Sequence, residues 1–277
     1  MNQAERRRFL IEWLLDERAG SHAEGRDEAT VPADAEGQRE LLRALMNVRP
    51  PAPVPADILG IQDAYLAQRL AERGGAVDAA ALSPIDPADP VLSRVALWQG
   101  DITRLAADAI MNAANSQMLG CFVPGHHCID NAIHTFAGMQ LRLACAQLMD
   151  AQGHEEPTGQ VKVTPGFNLP ARYVFHTVGP IVAGGRPGPR DRARLQSSYL
   201  SCLAAATGRG CRTLACCCLS TGVFGYPARE AAGVAVDTVL AYLTDTDRDL
   251  KVIFDVFLPS DRRIYEELLE ECRTTRC

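Results

Sequence analysis

The sequence predicts an α/β protein in which one mixed β-sheet is covered by helices on both faces and preceded by an N-terminal helical appendage. Three observations carry this. From Val91 onward, short β-branched runs alternate with long amphipathic patterns, the arrangement typical of α/β domains. Before Val91 the apolar residues recur at helical spacing, without strand alternation. A proline-rich connector interrupts those early helices.

Residues 4–17 place Phe9, Leu10, Trp13 and Leu14 at helical spacing among charges, which predicts an amphipathic helix. A polar stretch, 20–37, separates it from a second helix around 41–46. Pro50, Pro51, Pro53 and Pro55 exclude a helix, because each lacks an amide donor and restricts its predecessor, so 49–55 is extended. A third helical stripe covers 58–70, and the Ala-, Asp- and Pro-rich stretch 73–92 is expected to be loop. The appendage is therefore assigned to residues 1–92 and the α/β domain to 93–277. Candidate strands in that domain are 94–98, 109–112, 161–164, 173–177, 213–219 and 252–258. Candidate helices are 130–149, with a buried stripe of Ile133, Phe136, Leu141 and Leu148, then 190–206, 229–243 and 261–271.

A formal charge of -6 argues against broad binding to nucleic acid, which needs a basic face to displace counterions. An anionic ligand would need a focused local site. Of the ten cysteines, Cys216, Cys217 and Cys218 are consecutive in an apolar run and cannot staple a loop. With Cys145, Cys202 and Cys211 they read as small buried hydrophobes of a reducing compartment. No apolar run approaches the roughly 20 residues of a membrane span, and no opening segment looks like a signal peptide, so a soluble cytoplasmic protein is expected.

The segment from Gly120 to Asn131 sets two thiols, an imidazole and a carboxylate just ahead of a helical pattern. Zinc binds thiolate sulfur and imidazole nitrogen, and three protein ligands leave a fourth position for water or substrate. His126 and Cys128 stand two apart and project to one side in an extended chain, while His127 projects away. Cys121, His126 and Cys128 are therefore assigned as metal ligands. The competing reading has both histidines on a solvated loop and both cysteines buried. The lack of a second C-x-x-C pair speaks against a closed structural site. Asp130 is expected to cap the following helix, and an acid beside a metal can also orient or deprotonate a water. His134 and His176 are assigned to the core rather than to catalysis.

Three further loops stand at strand ends, where open α/β sheets gather ligands. In 99–103, Asp101 beside an exposed amide can read a base edge, though an Asp after Gly more often caps a turn. In 112–116, small residues let Asn112 and Asn115 approach a polyhydroxyl ligand, with structural turn amides as the alternative. In 220–227, consecutive amides of a glycine-containing turn make a concave anion site without net basic charge. Phe224 there can pack on a sugar ring or simply anchor the loop. The phosphate motifs of nucleoside triphosphatases and dinucleotide-binding dehydrogenases are absent.

Together, Gly100-Asp101-Ile102-Thr103, Asn112-Ala113-Ala114-Asn115, Asp130 with Ile133-His134 and Ala137-Gly138, His176-Thr177-Val178-Gly179-Pro180 and Ser220-Thr221-Gly222-Val223-Phe224-Gly225 resemble the macrodomain family over about residues 93–260. Most macrodomains carry a run of glycines where this chain has Gly120 to Cys128. That replacement, with the appendage containing Asn47-Val48-Arg49-Pro50-Pro51, is similar to the zinc-dependent macrodomains that act as protein-ADP-ribose hydrolases. The resemblance implies a three-layer α/β/α fold with ADP-ribose in a cleft: Asp101 and Ile102 at the adenine, and Ser220, Thr221, Gly222, Val223 and Phe224 at the diphosphate and distal ribose. Asn115, Ile129 and Asp130 fall beside that ribose, with Asp130 and Asn115 carrying the chemistry, and one Zn2+ per chain faces it. It further implies removal of mono-ADP-ribose from aspartate or glutamate esters of a modified protein. A lipoylated carrier protein is one such partner, because similar bacterial enzymes are encoded beside a sirtuin-type transferase and such a carrier. A reader that binds ADP-ribose without cleaving it is the alternative.

Overall fold

The structure is a computed structural model that describes residues 1–21, 30–246 and 248–276. Part of the polar stretch at 20–37 therefore lies outside the described residues.

Three helices open the chain: α1 (Gln3–Ser21), α2 (Ala35–Val48) and α3 (Ala56–Glu72). Asp34 starts α2 by accepting the Gly37 amide at 2.8 Å, and the prolines before α3 keep 49–55 extended as expected. Leu10, Ile11, Leu14, Leu42, Leu45, Met46, Ile58, Tyr65 and Leu66 form a core of their own that also takes in Met139 from the second domain. The stretch expected to be loop after α3 contains a short strand, β1 (Val77–Asp78), parallel to β3 (Leu105–Ala106). Ala79, Val91 and Leu92 are buried in the main core, so packing with the sheet domain begins well before residue 93.

The main sheet has the order β2-β8-β7-β4-β6-β5, built from β2 (Val95–Gln99), β4 (Ala109–Ala113), β5 (Val161–Pro165), β6 (Tyr173–Thr177), β7 (Thr213–Cys216) and β8 (Lys251–Val256). All neighbours are parallel except the β5–β6 edge pair, which is antiparallel. Predicted strand 213–219 stops at Cys216, because the chain turns away there into the loop that carries Ser220. Alternation along β6 marks the two faces: His176 meets Cys145 on one side, and Phe175 lies under Arg209 on the other.

The predicted helix 130–149 is two helices, α4 (Ile129–Ala137) and α5 (Met139–Gln152), broken at Gly138. Gly138 has φ 95°, a conformation that costs a side-chain-bearing residue about 1 kcal/mol or more. Its missing Cβ would also lie 2.6 Å from Gln62 Nε2, and Gln62 ties α3 to α5 by accepting the Met139 amide at 2.9 Å. Leu148 lies past the last buried residue of α5 and is exposed rather than part of the stripe. Helices α6 (Pro189–Gly208), α7 (Ala228–Thr244) and α8 (Pro259–Arg276) pack in series, α6 on α7 and α7 on α8. Among the described residues no helix is long and apolar enough to cross a membrane.

Candidate active site and metal centre

Because β2, β8, β7, β4 and β6 run parallel, the loops that follow them share one edge of the sheet in that order. Neighbouring strands lie about 4.8 Å apart, so the loops after β2 and β4 stand about 14 Å from each other with those after β8 and β7 between. β4 and β7 pair only at Ala109–Leu214 and Ile110–Ala215, then their loops diverge. A crevice at such a point is where open α/β sheets bind ligands.

At the β2 end, Asp101 is already engaged. Its Oδ1 accepts from the Thr103 amide at 3.0 Å and the Thr103 hydroxyl at 2.6 Å, and its Oδ2 accepts from Arg73 Nη1 at 2.8 Å. Arg73, just past α3, lies over the Phe136 ring at 3.4 Å, so the appendage packs on α4 beside the Asp101 turn. Ile102 is buried and can offer only its backbone, whose amide opens a 3-10 turn and has no partner within it. Phe257, not anticipated from sequence, follows β8 with 69% of its surface exposed, beside the Asp101 loop. Its signal was weak: one aromatic in an apolar run that reads as continuing strand.

The loop after β7, expected from the sequence to hold an anion, leaves a run of amides unengaged. Gly225 and Tyr226 amides bond back to Gly222 and Ser220 carbonyls, both at 3.0 Å, whereas those of Thr221, Gly222, Val223 and Phe224 make no hydrogen bond among the described residues. Val223 is almost fully exposed. Ser220 adopts φ 67°, and its buried hydroxyl has no partner among the described residues. Gly179 makes room for it, since a Cβ there would lie 2.1 Å from Ser220 Oγ. Gly179→Ala is expected to displace this loop and weaken diphosphate binding by roughly tenfold or more, consistent with overpacking costs of about 1–3 kcal/mol, as titration calorimetry will show.

After β4, Asn115 spends its Oδ1 on the Gln117 and Met118 amides, at 3.1 and 3.0 Å, and Nδ2 on Gly120 O at 3.3 Å. It shapes the loop leading to the cysteines. Cys121, His126 and Cys128 follow, all half-buried, with their ligand atoms within 4.8 Å of one another. Cys121 Sγ lies 3.4 Å from His126 Nδ1. Tetrahedral zinc, with bonds of about 2.3 Å to sulfur and 2.0 Å to nitrogen, sets those two atom types about 3.5 Å apart, so the donor set fits. Without a cation, burial and the neighbouring Cys121 push the Cys128 thiol up to about 11 against the Asn131 amide. His127 is exposed and turned to a groove beside α2.

Cys128, not Asp130, caps α4: its sulfur accepts from the Asn131 amide at 3.4 Å, because the helix starts one residue earlier than predicted. Asp130 thereby sits inside the first turn and is buried. Burial pushes its carboxyl up to about 6, opposed by Asn112 and Arg142. Asn112 Nδ2 donates to Asp130 Oδ1 at 2.8 Å and also lies 3.0 Å from His176 Nδ1, while His176 Nε2 meets Thr164 Oγ1 at 2.9 Å. If Asn112 donates to both, His176 Nδ1 accepts and Nε2 carries the proton. Asp130 Oδ2 has no bond among the described residues.

His134, Cys145 and His176 form a second grouping within 4.8 Å, wholly buried. Both nitrogens of His176 already have partners, and burial lowers it to about 3, so it is a neutral core residue. His134 is likewise held neutral by burial and packs where a Cβ on Gly120 would be 2.7 Å from its ring.

The family model described as Macro domain matches residues 111–235. A protein from Treponema medium named Protein-ADP-ribose hydrolase is 47% identical over 97% of this chain and 100% of its own length. The chain belongs to the macrodomain family. A Protein-ADP-ribose hydrolase from Staphylococcus aureus is 43% identical over 93% of this chain and 94% of its own. Among solved structures, the Trypanosoma brucei macrodomain in complex with ADP-ribose matches with TM-score 0.64 and 32% identity, covering 81% of this chain and 94% of that one. The matched residues run from β4 into α7 and include the Cys121–Cys128 loop.

Proposed function

We propose that this macrodomain is a zinc-dependent hydrolase that removes a single ADP-ribose from an aspartate or glutamate ester on a modified protein and releases ADP-ribose. The observation that carries the reading is Asp130: a buried carboxylate whose Oδ2 has no partner among the described residues, two residues past a member of a Cys2His triad, on the same sheet edge as four amides that are unpaired among those residues. A reader needs the amides but neither of the other two.

The adenine lies at the β2 and β8 end against Phe257, with the Asp101 and Ile102 turn beneath it. The Thr221 to Phe224 amides take the diphosphate by hydrogen bonding, which suits a chain of net charge -6. The distal ribose then falls over the β4 loop, beside Asn115, Ile129 and Asp130. Asp130 Oδ2 orients the attacking water and takes its proton. The water oxygen bonds to the ester carbonyl or the anomeric carbon, the ribose–carboxylate linkage breaks, and the proton passes to the departing oxygen. Cys121, His126 and Cys128 would hold a zinc ion, which when bound would supply Lewis acidity at this end of the site.

Mass spectrometry of an aspartate-ADP-ribosylated protein tests this, with a lipoylated carrier protein as the first substrate to try. The enzyme is expected to remove one ADP-ribosyl mass, and a chelator to slow removal by about tenfold or more until zinc is restored. Loss at the same rate under chelation rejects zinc and keeps the hydrolase. No loss under any condition leaves a reader.

A further inference from the structure

The segment from Cys121 to Cys128 has little structure of its own. Its one internal backbone hydrogen bond runs from the His126 amide to Val123 O at 3.2 Å, and Gly125 turns it at φ 63°. Apart from Cys128 O, which accepts the Ala132 amide at 3.1 Å, its remaining backbone hydrogen bonds among the described residues are made by three side chains. Arg43, on α2, donates from Nη2 to His126 O at 3.0 Å and from Nε and Nη2 to Asn131 Oδ1 at 3.1 and 2.8 Å. Asn131, fully buried in the first turn of α4, donates from Nδ2 to Val123 O at 3.1 Å and Cys121 O at 3.5 Å. Asn47, also buried on α2, accepts the Gly125 amide at 3.1 Å and donates to Thr135 Oγ1 at 3.0 Å.

Two of these three residues belong to the N-terminal helices, and both hold the second half of the loop, at Gly125 and His126, while Asn131, itself held by Arg43, carries the first half at Cys121 and Val123. A third tie closes the contact from the macrodomain side. Arg142 on α5 donates to the carbonyls of Asn47, at 2.8 Å, and Arg49 at the C-terminal end of α2, and through Nε to Leu119 O at 2.8 Å. Its guanidinium lies over Phe122, 4.2 Å from the ring centre. Arg43 forms no ion pair among the described residues. Its donors are spent on the loop and on the residue that holds the loop.

We infer that α2 is part of the metal centre: Arg43 and Asn47 are positioning residues that fix the Cys121–Cys128 loop in ligand geometry, so that the N-terminal helices set metal affinity. This rests on the reading of Cys121, His126 and Cys128 as ligands. A loop that must be ordered at the moment of binding gives up part of its binding energy to that ordering, whereas a loop held beforehand does not. Loss of residues that orient metal ligands typically lowers affinity about 10–100-fold.

The test measures zinc affinity of the full-length protein by competition with a chromogenic chelator, beside ADP-ribose binding by calorimetry. Arg43→Met and Asn47→Ala are each expected to raise the zinc Kd about 10–100-fold while ADP-ribose affinity changes less than about threefold. Arg43→Lys, which keeps the charge but loses the forked contact, is expected to fall between. Asn47→Ser serves if Arg43→Met does not fold. Zinc affinities within about threefold of the unaltered protein in the variants that fold overturn the positioning role, as does an equal loss of ADP-ribose binding, which would signal general misfolding. If the unaltered protein itself binds no zinc, the ligand reading fails and takes this inference with it.

Discussion

Asp130→Asn is expected to lower kcat by about 10²–10⁴-fold, the usual weight of a general base, with ADP-ribose affinity within a few-fold of the unaltered protein. The replacement is nearly isosteric. Asn112 Nδ2, which donates to Oδ1 at 2.8 Å, finds an amide oxygen in the same place, and the Cys128 cap on the Asn131 amide is untouched. What is lost is the carboxylate's ability to take a proton from water at Oδ2. Single-turnover release of ADP-ribose from a modified protein, read beside calorimetric binding of free ADP-ribose, separates the two effects. Unchanged turnover in a folded Asp130→Asn protein would remove Asp130 from the mechanism. A parallel fall in turnover and in ADP-ribose affinity would make it a binding residue instead.

The sequence carried the sheet domain well because its strands are short β-branched runs between long amphipathic helices, and periodicity reads both. It anticipated that Cys121, His126 and Cys128 lie together, because that grouping depends on residue type and short spacing, both local properties. It failed where tertiary contacts decide. The break at Gly138 is invisible to periodicity, since Ile133 and Leu141 stay in helical phase across it; the reason for the break is Gln62, 76 positions away and pressed against the missing Cβ. Asp130 was expected at the cap, but a cysteine sulfur two residues earlier took that role. Asp101 reads as a free recognition carboxylate until Arg73 arrives from α3. Arg43 had no sequence signal, and Asn47 stood out only as part of the Asn47-to-Pro51 run, because an arginine and an asparagine on an amphipathic helix ordinarily face water. The long-range hydrogen bonds that give them a role pair residues 78 to 88 positions apart.

The buried thiols predict a steep loss of stability in alkali. Cys145, Cys202, Cys216 and Cys217 are each no more than 3% exposed. Burial pushes Cys145 up to about 12 and the other three well above the usual thiol range, so the native state keeps protons that the unfolded chain releases from pH 9.0 upward. Their contribution is therefore intact below pH 9 and declines as pH rises toward 12. At pH 10 each forfeits on the order of 1 kcal/mol, and the four together roughly several kcal/mol. That is comparable to the whole stability of an ordinary domain, about 5–15 kcal/mol. Tyr199 and Tyr265, also raised by burial, add to the decline above their usual value of 10.0. Urea midpoints under a thiol reductant should thus fall sharply between pH 8 and pH 10. Cys202→Ala separates titration from packing: its cavity lowers stability at every pH, but above pH 9 the slope flattens by one proton, about 1.4 kcal/mol per pH unit. A midpoint that stays level from pH 8 to pH 10, or a slope that Cys202→Ala leaves unaltered, would mean that these thiols ionise within the fold and that the cysteine-rich strand does not exclude water.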